Sequence, residues 1–279
     1  MTTATRPSIS RASTHRGSAA AAFLRRDFSI IRSYRFPFVL DTFFGVLQLA
    51  VYYFISRTFK ETPSQQLNGA PSYFAFAAVG IVIALVIEAA AEGVAQRVRE
   101  EQLSGSLEAL MAQPLSAAGL CAGFTAFPFV FALARSTVYL AIAALAMKLD
   151  LGHADWVGFG LVFFTSATAL VSLGILAGAA VLVFKRGQLL SGGLIFAMTL
   201  ISGSVFPVTA LPDWLAQIGS VLPLRFAFDG ARDALFRGSG WGPDVLGLAG
   251  FTVIGLPIAV WVFGRALQAV RRAGSLGQY

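Results

Sequence analysis

The sequence has few charged residues and almost no cysteine or histidine. Charged residues make up 13% of the 279 residues and hydrophobic ones 56%, whereas a soluble domain carries roughly 25% charged residues. The single cysteine, Cys121, excludes a disulfide within the chain. His15 and His153 lack evident partners for a zinc site, so we predict no metal centre. This composition excludes a soluble domain and indicates a polytopic membrane protein.

Motifs for hydrolysis are also missing. A phosphate-binding loop needs glycine directly before lysine, but Lys60, Lys148 and Lys185 follow phenylalanine, methionine and phenylalanine. The chain has no G-x-S-x-G motif either. We therefore expect no catalytic residues and no nucleotide bound by this chain. The net charge of +7 comes from residues in short loops and tails, which gives no water-exposed basic face for nucleic acid.

Six apolar segments are long enough to form membrane spans of about 20 residues each. They predict an all-α integral membrane protein with its six-span domain in residues 36–266. The third segment is too long for one span, so its first turns are expected to belong to the preceding connection. The predicted spans are Phe36–Phe59, Pro71–Ala95, Leu115–Met147, Trp156–Phe184, Leu189–Phe206 and Val245–Phe263.

The distribution of arginine and lysine predicts the orientation. With the N-terminus inside, fourteen basic residues fall on the cytosolic side and six on the outer side. Cytosolic loops carry the excess of Lys and Arg, so both termini are expected in the cytosol. Residues 1–18 then form a disordered cytosolic tail, and residues 267–279 form a short cytosolic C-terminal tail.

Residues 19–35 have apolar side chains at helical spacing with basic residues between them. This pattern predicts an amphipathic helix lying in the membrane interface. A plain basic segment beside the first span is the simpler alternative.

A polar segment, residues 97–116, separates the second and third predicted spans. Its local pattern predicts a two-turn helix, Ser106–Gln113, with Gly105 or Ser106 as the N-cap and Glu108 in the first turn. Pro114 ends this helix. Spacing alone favours the simpler interpretation, a solvated turn between two spans that a proline keeps short.

Three prolines divide residues 207–237 into short pieces before the last span. Pro212 suits the start of a helix Asp213–Val221, and a second piece, Leu224–Phe236, has charges spaced for ion pairs. Irregular backbone at membrane depth has to be sheltered, so we predict an outward-facing re-entrant helical hairpin. Its marker residues are Pro207, Pro212, Trp214, Pro223 and Arg232.

Charged residues inside spans are functional candidates. Glu88 and Glu92 lie one turn apart in the second span, and Arg135 lies in the third. We expect Arg135 to reach a carboxylate of the second span and brace the two helices; a substrate-facing charge is the alternative. The Gly174-x-x-x-Gly178 pattern permits close helix contact, either within the subunit or between two copies.

Two of these segments resemble a known family. The run R-x-R-E-E-x-x-S-G-S-L-E-x-L-x-x-x-P-L-S from Arg97 resembles the cytoplasmic loop of ATP-binding-cassette (ABC) type-2 transporter permeases. The run from Ser202 resembles the S-G-x-x-F-P…L-P-x-W-L hairpin pattern of the same family. Leu222 stands where the family has asparagine, and Ser106 stands where it has threonine.

The resemblance implies that residues 97–116 hold a coupling helix that docks on a separate ABC ATPase subunit, and that residues 19–35 form an elbow helix. The coupling residues would be Arg99, Glu100, Gly105, Ser106, Leu107, Glu108, Leu110 and Met111. ATP and Mg would be bound by the partner ATPase, and a second permease copy or a paralogue would complete a dimer surrounded by membrane lipids.

By the same resemblance, the expected function is export of a lipophilic small molecule or lipid, and the expected location is a bacterial cytoplasmic (inner) membrane. Two alternatives stay open. One is export of a lipid-linked polysaccharide, and the other is a non-transporting scaffold that passes ATP-driven motion to an outside partner. The sequence does not identify the substrate, the pathway-lining residues, or a homodimer against a heterodimer.

Overall fold

The computed structural model describes residues 35–58, 67–105, 116–184 and 187–273. Regular structure in these ranges is entirely helical, which confirms the all-α part of the predicted fold class. A 3-10 turn, Val208–Ala210, and a π-helical turn, Asp233–Arg237, flank the two shortest α-helices. The α-helices are α1 (Arg35–Thr58), α2 (Tyr73–Leu103), α3 (Ala117–Leu145), α4 (Trp156–Val183), α5 (Gly187–Ile201), α6 (Asp213–Val221), α7 (Pro223–Arg232) and α8 (Gly242–Ala273).

Four helices in the described part of the chain, α2, α3, α4 and α8, are long and apolar enough to cross a membrane. The shorter α5 is also apolar. The tail 1–18, nearly all of the predicted amphipathic segment, and residues 106–115 of the polar segment lie outside the described residues.

Polar side chains begin three of the long helices. Ser72 accepts a hydrogen bond from the backbone N–H of Ala75 at 3.1 Å, and Ser116 accepts one from Gly119 at 3.1 Å. Asp155 begins α4, and the backbone N–H of Gly158 lowers the pKa of its carboxyl, with further hydrogen bonds from Trp241 and Val157. Because the first N–H groups of a helix have no partner inside the helix, these caps fix where each span starts.

The helices α2 and α4 form the centre of the bundle. A Cβ on Gly174 would lie 2.1 Å from the carbonyl oxygen of Ala90, and a Cβ on Gly178 would lie 2.8 Å from a side-chain carbon of Val94. The glycine pair predicted for close helix contact therefore packs inside this chain. Small residues serve here because they let two helix backbones approach each other.

The other long helices pack around this pair. α8 lies against α4, and α3 lies against α2, where the Ser136 hydroxyl donates to the carbonyl of Val82 at 3.2 Å. α1 crosses α3 at Gly45, where a Cβ would overlap the ring of Tyr139. At one end of the bundle, which we call the loop end, α2 runs towards the polar segment. At the other, the hairpin end, α7 packs against α2, and α6 packs against α5 and α7.

The second span is longer than predicted. α2 continues past Ala95 to Leu103, since Arg, Glu, Gln and Leu are good helix formers and no proline intervenes. Gly105 has a φ of +70°, the left-handed conformation that commonly follows a helix. Gly105 therefore belongs to the end of α2, whereas the sequence pattern offered either Gly105 or Ser106 as the N-cap of the next helix.

The fifth helix is shorter than predicted. α5 ends at Ile201, and a turn at residues 202–206 follows, in which Gly203 has a φ of +89°. The 15 residues of α5 span about 22 Å, compared with about 30 Å for a bilayer core.

We predict that Gly174→Ala separates α2 from α4 and destabilises the protein by about 1–3 kcal/mol, because the new methyl group meets backbone rather than a movable side chain. Gly160→Ala on the same helix is the matched control, since nothing lies within 4 Å of its Cβ position. Thermal unfolding of both purified variants measures the difference. Equal stability of the two variants would contradict the close α2–α4 contact.

Candidate functional site

A groove of about 440 Å³ lies between α1, α2 and α5; we call it the main groove. Its walls are mostly apolar, including Ile87 and Phe196. Polar groups enter it from all three helices, namely Gln48, Tyr52, Thr199, Glu88 and Glu92. Pockets that are largely apolar with a few convergent polar groups are typical of small-molecule sites.

A second groove of about 310 Å³ lies between α2 and α3, on the other side of the Glu88 and Glu92 side chains. Glu88, Glu92 and Arg135 all line this α2–α3 groove, so the structure brings the three predicted intramembrane charges together. The Arg135 guanidinium also lies 5.8 Å from the ring centroids of Phe131 and Tyr139. Because Glu88 and Glu92 line both grooves, the carboxylate pair separates the two cavities.

The hairpin end is built around a buried arginine. Arg232 is 1% exposed, and its Nη2 atom donates to the carbonyl oxygens of Gly203 and Ser204 at 2.8 Å and of Phe76 at 3.2 Å. The guanidinium lies over the Phe76 ring, 3.5 Å from its centroid. Its nearest described carboxylate is Asp229, at 3.9 Å. This one side chain therefore contacts α2, the turn after α5 and its own helix α7.

Comparison with known proteins agrees with this architecture. A family model described as ABC-2 type transporter matches residues 19–236, which is well over half of the chain. The chain belongs to the ABC-2 type transporter family. It is 27% identical over 182 residues to ABC transporter G family member 20 of Dictyostelium discoideum. That alignment covers 64% of this chain and 24% of the relative, so the chain spans about a quarter of the relative's length.

Membership of the ABC-2 type family makes this chain an integral membrane permease of an ABC transporter system. The grooves and the buried arginine all lie within the matched residues. The resemblance of the sequence to ABC type-2 transporter permeases is therefore confirmed.

The predicted coupling residues of the permease divide into two groups. Arg99, Glu100 and Gly105 lie in the last turn of α2 and directly after it; Glu100 is exposed and pairs with Arg97 at 3.2 Å. The other five lie outside the described residues and stay predictions: Ser106, Leu107, Glu108, Leu110 and Met111.

The marker residues of the predicted hairpin sit at its helix boundaries. Pro207 precedes the 3-10 turn, Pro212 precedes α6 and Pro223 opens α7. Trp214 is 63% exposed on α6. Of the charges predicted to form ion pairs, Arg225 binds Asp229 and Arg232 lies 3.9 Å from Asp229. Asp233 pairs instead with Arg237, which lies beyond the predicted piece.

Sequence reasoning missed the backbone contacts between α2 and the turn that surround Arg232. Gly80 packs so closely that a Cβ there would lie 1.7 Å from the carbonyl oxygen of Ser204. Tyr73 donates its hydroxyl to the carbonyl of Val205 at 3.0 Å. Gly80 stands in an ordinary apolar run, and backbone carbonyls leave no signal in a sequence, so no pattern could have marked these contacts.

We predict that Arg135→Leu destabilises the permease, because it leaves Arg97 as the remaining cation in a groove lined by the carboxylates of Glu88, Glu92 and Glu100. The double variant Glu88→Gln, Arg135→Leu should lose less stability than the sum of the two single variants' losses, by a coupling energy of about 0.5–3 kcal/mol. Thermal unfolding of the four proteins in one detergent measures the cycle. Additive effects would show that these side chains do not interact across the groove.

Proposed function

We propose that this permease is the membrane subunit of an ABC exporter that moves a lipophilic small molecule or a lipid, using ATP hydrolysed by a separate subunit. The main groove carries the proposal. It lies between apolar helices, has an apolar lining with few polar groups, and therefore suits an amphiphile better than a fully hydrated solute.

The proposed topology has six spans and both termini in the cytosol of a bacterial inner membrane. α1, α2, α3, α4, α5 and α8 are the six spans, residues 19–35 form the elbow helix, and α6 and α7 form the re-entrant hairpin. The excess of arginine and lysine on one side supports this orientation. Short α5 needs the following turn and hairpin to complete its crossing.

The proposed working unit is a dimer of two permease copies, or of this chain with a paralogue. Large apolar side chains are exposed along α1 beside the main groove, among them Phe43, Phe44 and Phe54 at 58–65%. Phe196 on α5 is 66% exposed and lines the groove itself. A second copy placed against α1 and α5 would close the groove and leave the remaining faces to lipid.

The proposed energy input enters at the loop end. Residues 106–113 would form the coupling helix on the ATPase, which binds ATP and Mg. α2 supports this role because it continues without interruption into the polar segment, to Leu103. Its 31 residues span about 46 Å, so it reaches well beyond a bilayer core of about 30 Å.

Affinity purification from native membranes, followed by mass spectrometry and an ATPase assay, tests this function. A stoichiometric subunit with a phosphate-binding loop should remain bound, and replacing both Glu108 and Leu110 with Ala should release it. An intact chain without an ATPase under mild conditions would overturn the transporter proposal and favour the scaffold alternative.

The substrate class needs a separate assay. In vesicles containing the complex, a lipid with a fluorescent headgroup should cross the bilayer faster when ATP is added. Movement of a lipid-linked oligosaccharide instead would support the polysaccharide alternative.

We predict that Gly105→Val reduces ATP-dependent transport while the protein still folds. Nothing lies within 4 Å of a Cβ at this position, so the valine side chain meets no neighbour. The cost of about 1–2 kcal/mol comes from the left-handed backbone, and relief of that strain redirects the chain leaving α2. Gly105→Asn is the matched control, because asparagine tolerates this conformation. Transport per ATP hydrolysed should fall for Val and stay near the wild-type value for Asn. Equal ratios for both would argue against a role for the direction in which the chain leaves α2.

A further inference from the structure

Polar contacts join the start of α2, and the turn before it, to the hairpin end in one small region. Tyr73 binds the carbonyl of Val205, Asn68 donates to Asp229 at 3.0 Å, and Arg232 binds the carbonyls of Phe76, Gly203 and Ser204. These contacts join three segments that are far apart in the sequence.

The same region has no room for the two segments to move closer or slide. Gly80 of α2 touches the turn so closely that even a methyl group would overlap the carbonyl oxygen of Ser204. A slide of α2 along the turn would also carry Phe76 from beneath the guanidinium of Arg232. The contact is therefore held by shape as well as by hydrogen bonds.

We propose that Arg232 is a positioning residue that fixes the hairpin to α2, so that movement of α2 at the loop end is transmitted to the opposite end. The inference rests on the proposed function, in which an ATPase moves the loop end. α2 supplies the connection, because one uninterrupted helix carries Phe76 near its start and Arg99 near its end. A static brace would hold the same contacts without carrying any ATP-dependent change.

Arginine suits this position for a geometric reason. Its planar guanidinium can lie on the Phe76 ring and point hydrogen-bond donors at carbonyls from two separate segments. Lysine is basic and of similar length but has no planar face to lie on the ring. Arg232→Lys should therefore loosen the contact between α2 and the hairpin while keeping a basic side chain in the same place.

Single-cysteine labelling tests the inference in the full complex with its ATPase. Replacing the buried Cys121 with alanine gives a background without cysteine. Leu103→Cys then reports on the loop end and Thr209→Cys on the hairpin, since both positions are exposed. Maleimide labelling rates are compared without nucleotide and with Mg-ATP plus vanadate.

With Arg232 present, nucleotide should change the labelling rate at both reporters. Arg232→Lys should abolish the change at Thr209→Cys and keep the change at Leu103→Cys. Arg225→Lys is the matched control on the same helix, because Arg225 also binds Asp229 but its described bonds do not reach the turn. It should keep both responses.

The outcomes separate the two proposals. No response at either reporter with Arg232 present would overturn the proposed function and the inference together. A response at Leu103→Cys alone would overturn only the inference. Unchanged responses in Arg232→Lys would also overturn it.

A cross-link supplies a second test that does not depend on the folding of an Arg232 variant. Tyr73→Cys and Val205→Cys, joined by a short bifunctional thiol reagent, tie α2 to the turn. If the two segments move as one unit, the linked complex keeps its ATPase rate and its nucleotide response at the hairpin. Loss of either upon linking would show that the segments separate, and would overturn the inference.

Discussion

The bundle depends on the close approach of two helix backbones, at Gly174 of α4 and Ala90 of α2. Helices in lipid gain little from burying apolar surface, so their association relies on packing of this kind. Glu88 and Glu92 lie about half a turn away from Ala90 and Val94 around α2, since each residue advances the helix by about 100°. Close packing on one face of α2 thus directs its carboxylates to the opposite face, where both grooves form.

Two arginines in the bundle have different surroundings. Arg232 is buried, and backbone carbonyls and an aromatic ring surround it, which replaces much of the water it has lost. Arg135, by contrast, lines an open groove with Glu88 and Glu92. The first arrangement is rigid because its acceptors belong to the backbone, whereas the second lines a groove with carboxylate side chains that can change rotamer.

The sequence predicted the helical class and many boundaries, because caps, prolines and apolar periodicity act locally. The range Asp213–Val221 for α6 agrees with the structure, and Pro223 opens α7. The predicted end of α2 at Ala95 is too early, because the charged residues after it leave the membrane but Arg, Glu and Gln still favour helix. The partners of Arg232 could not be predicted, because they are backbone carbonyls 28, 29 and 156 residues away.

The shortness of α5 has a consequence for how subunits meet in a bilayer. A helix of about 22 Å does not fill a hydrocarbon layer of about 30 Å, so under the proposed topology the irregular turn after α5 lies at membrane depth and needs protein around it. In the proposed dimer, two copies that place their α5 helices against each other would supply that shelter. A thicker bilayer would put more of this backbone at membrane depth and would therefore favour the proposed association.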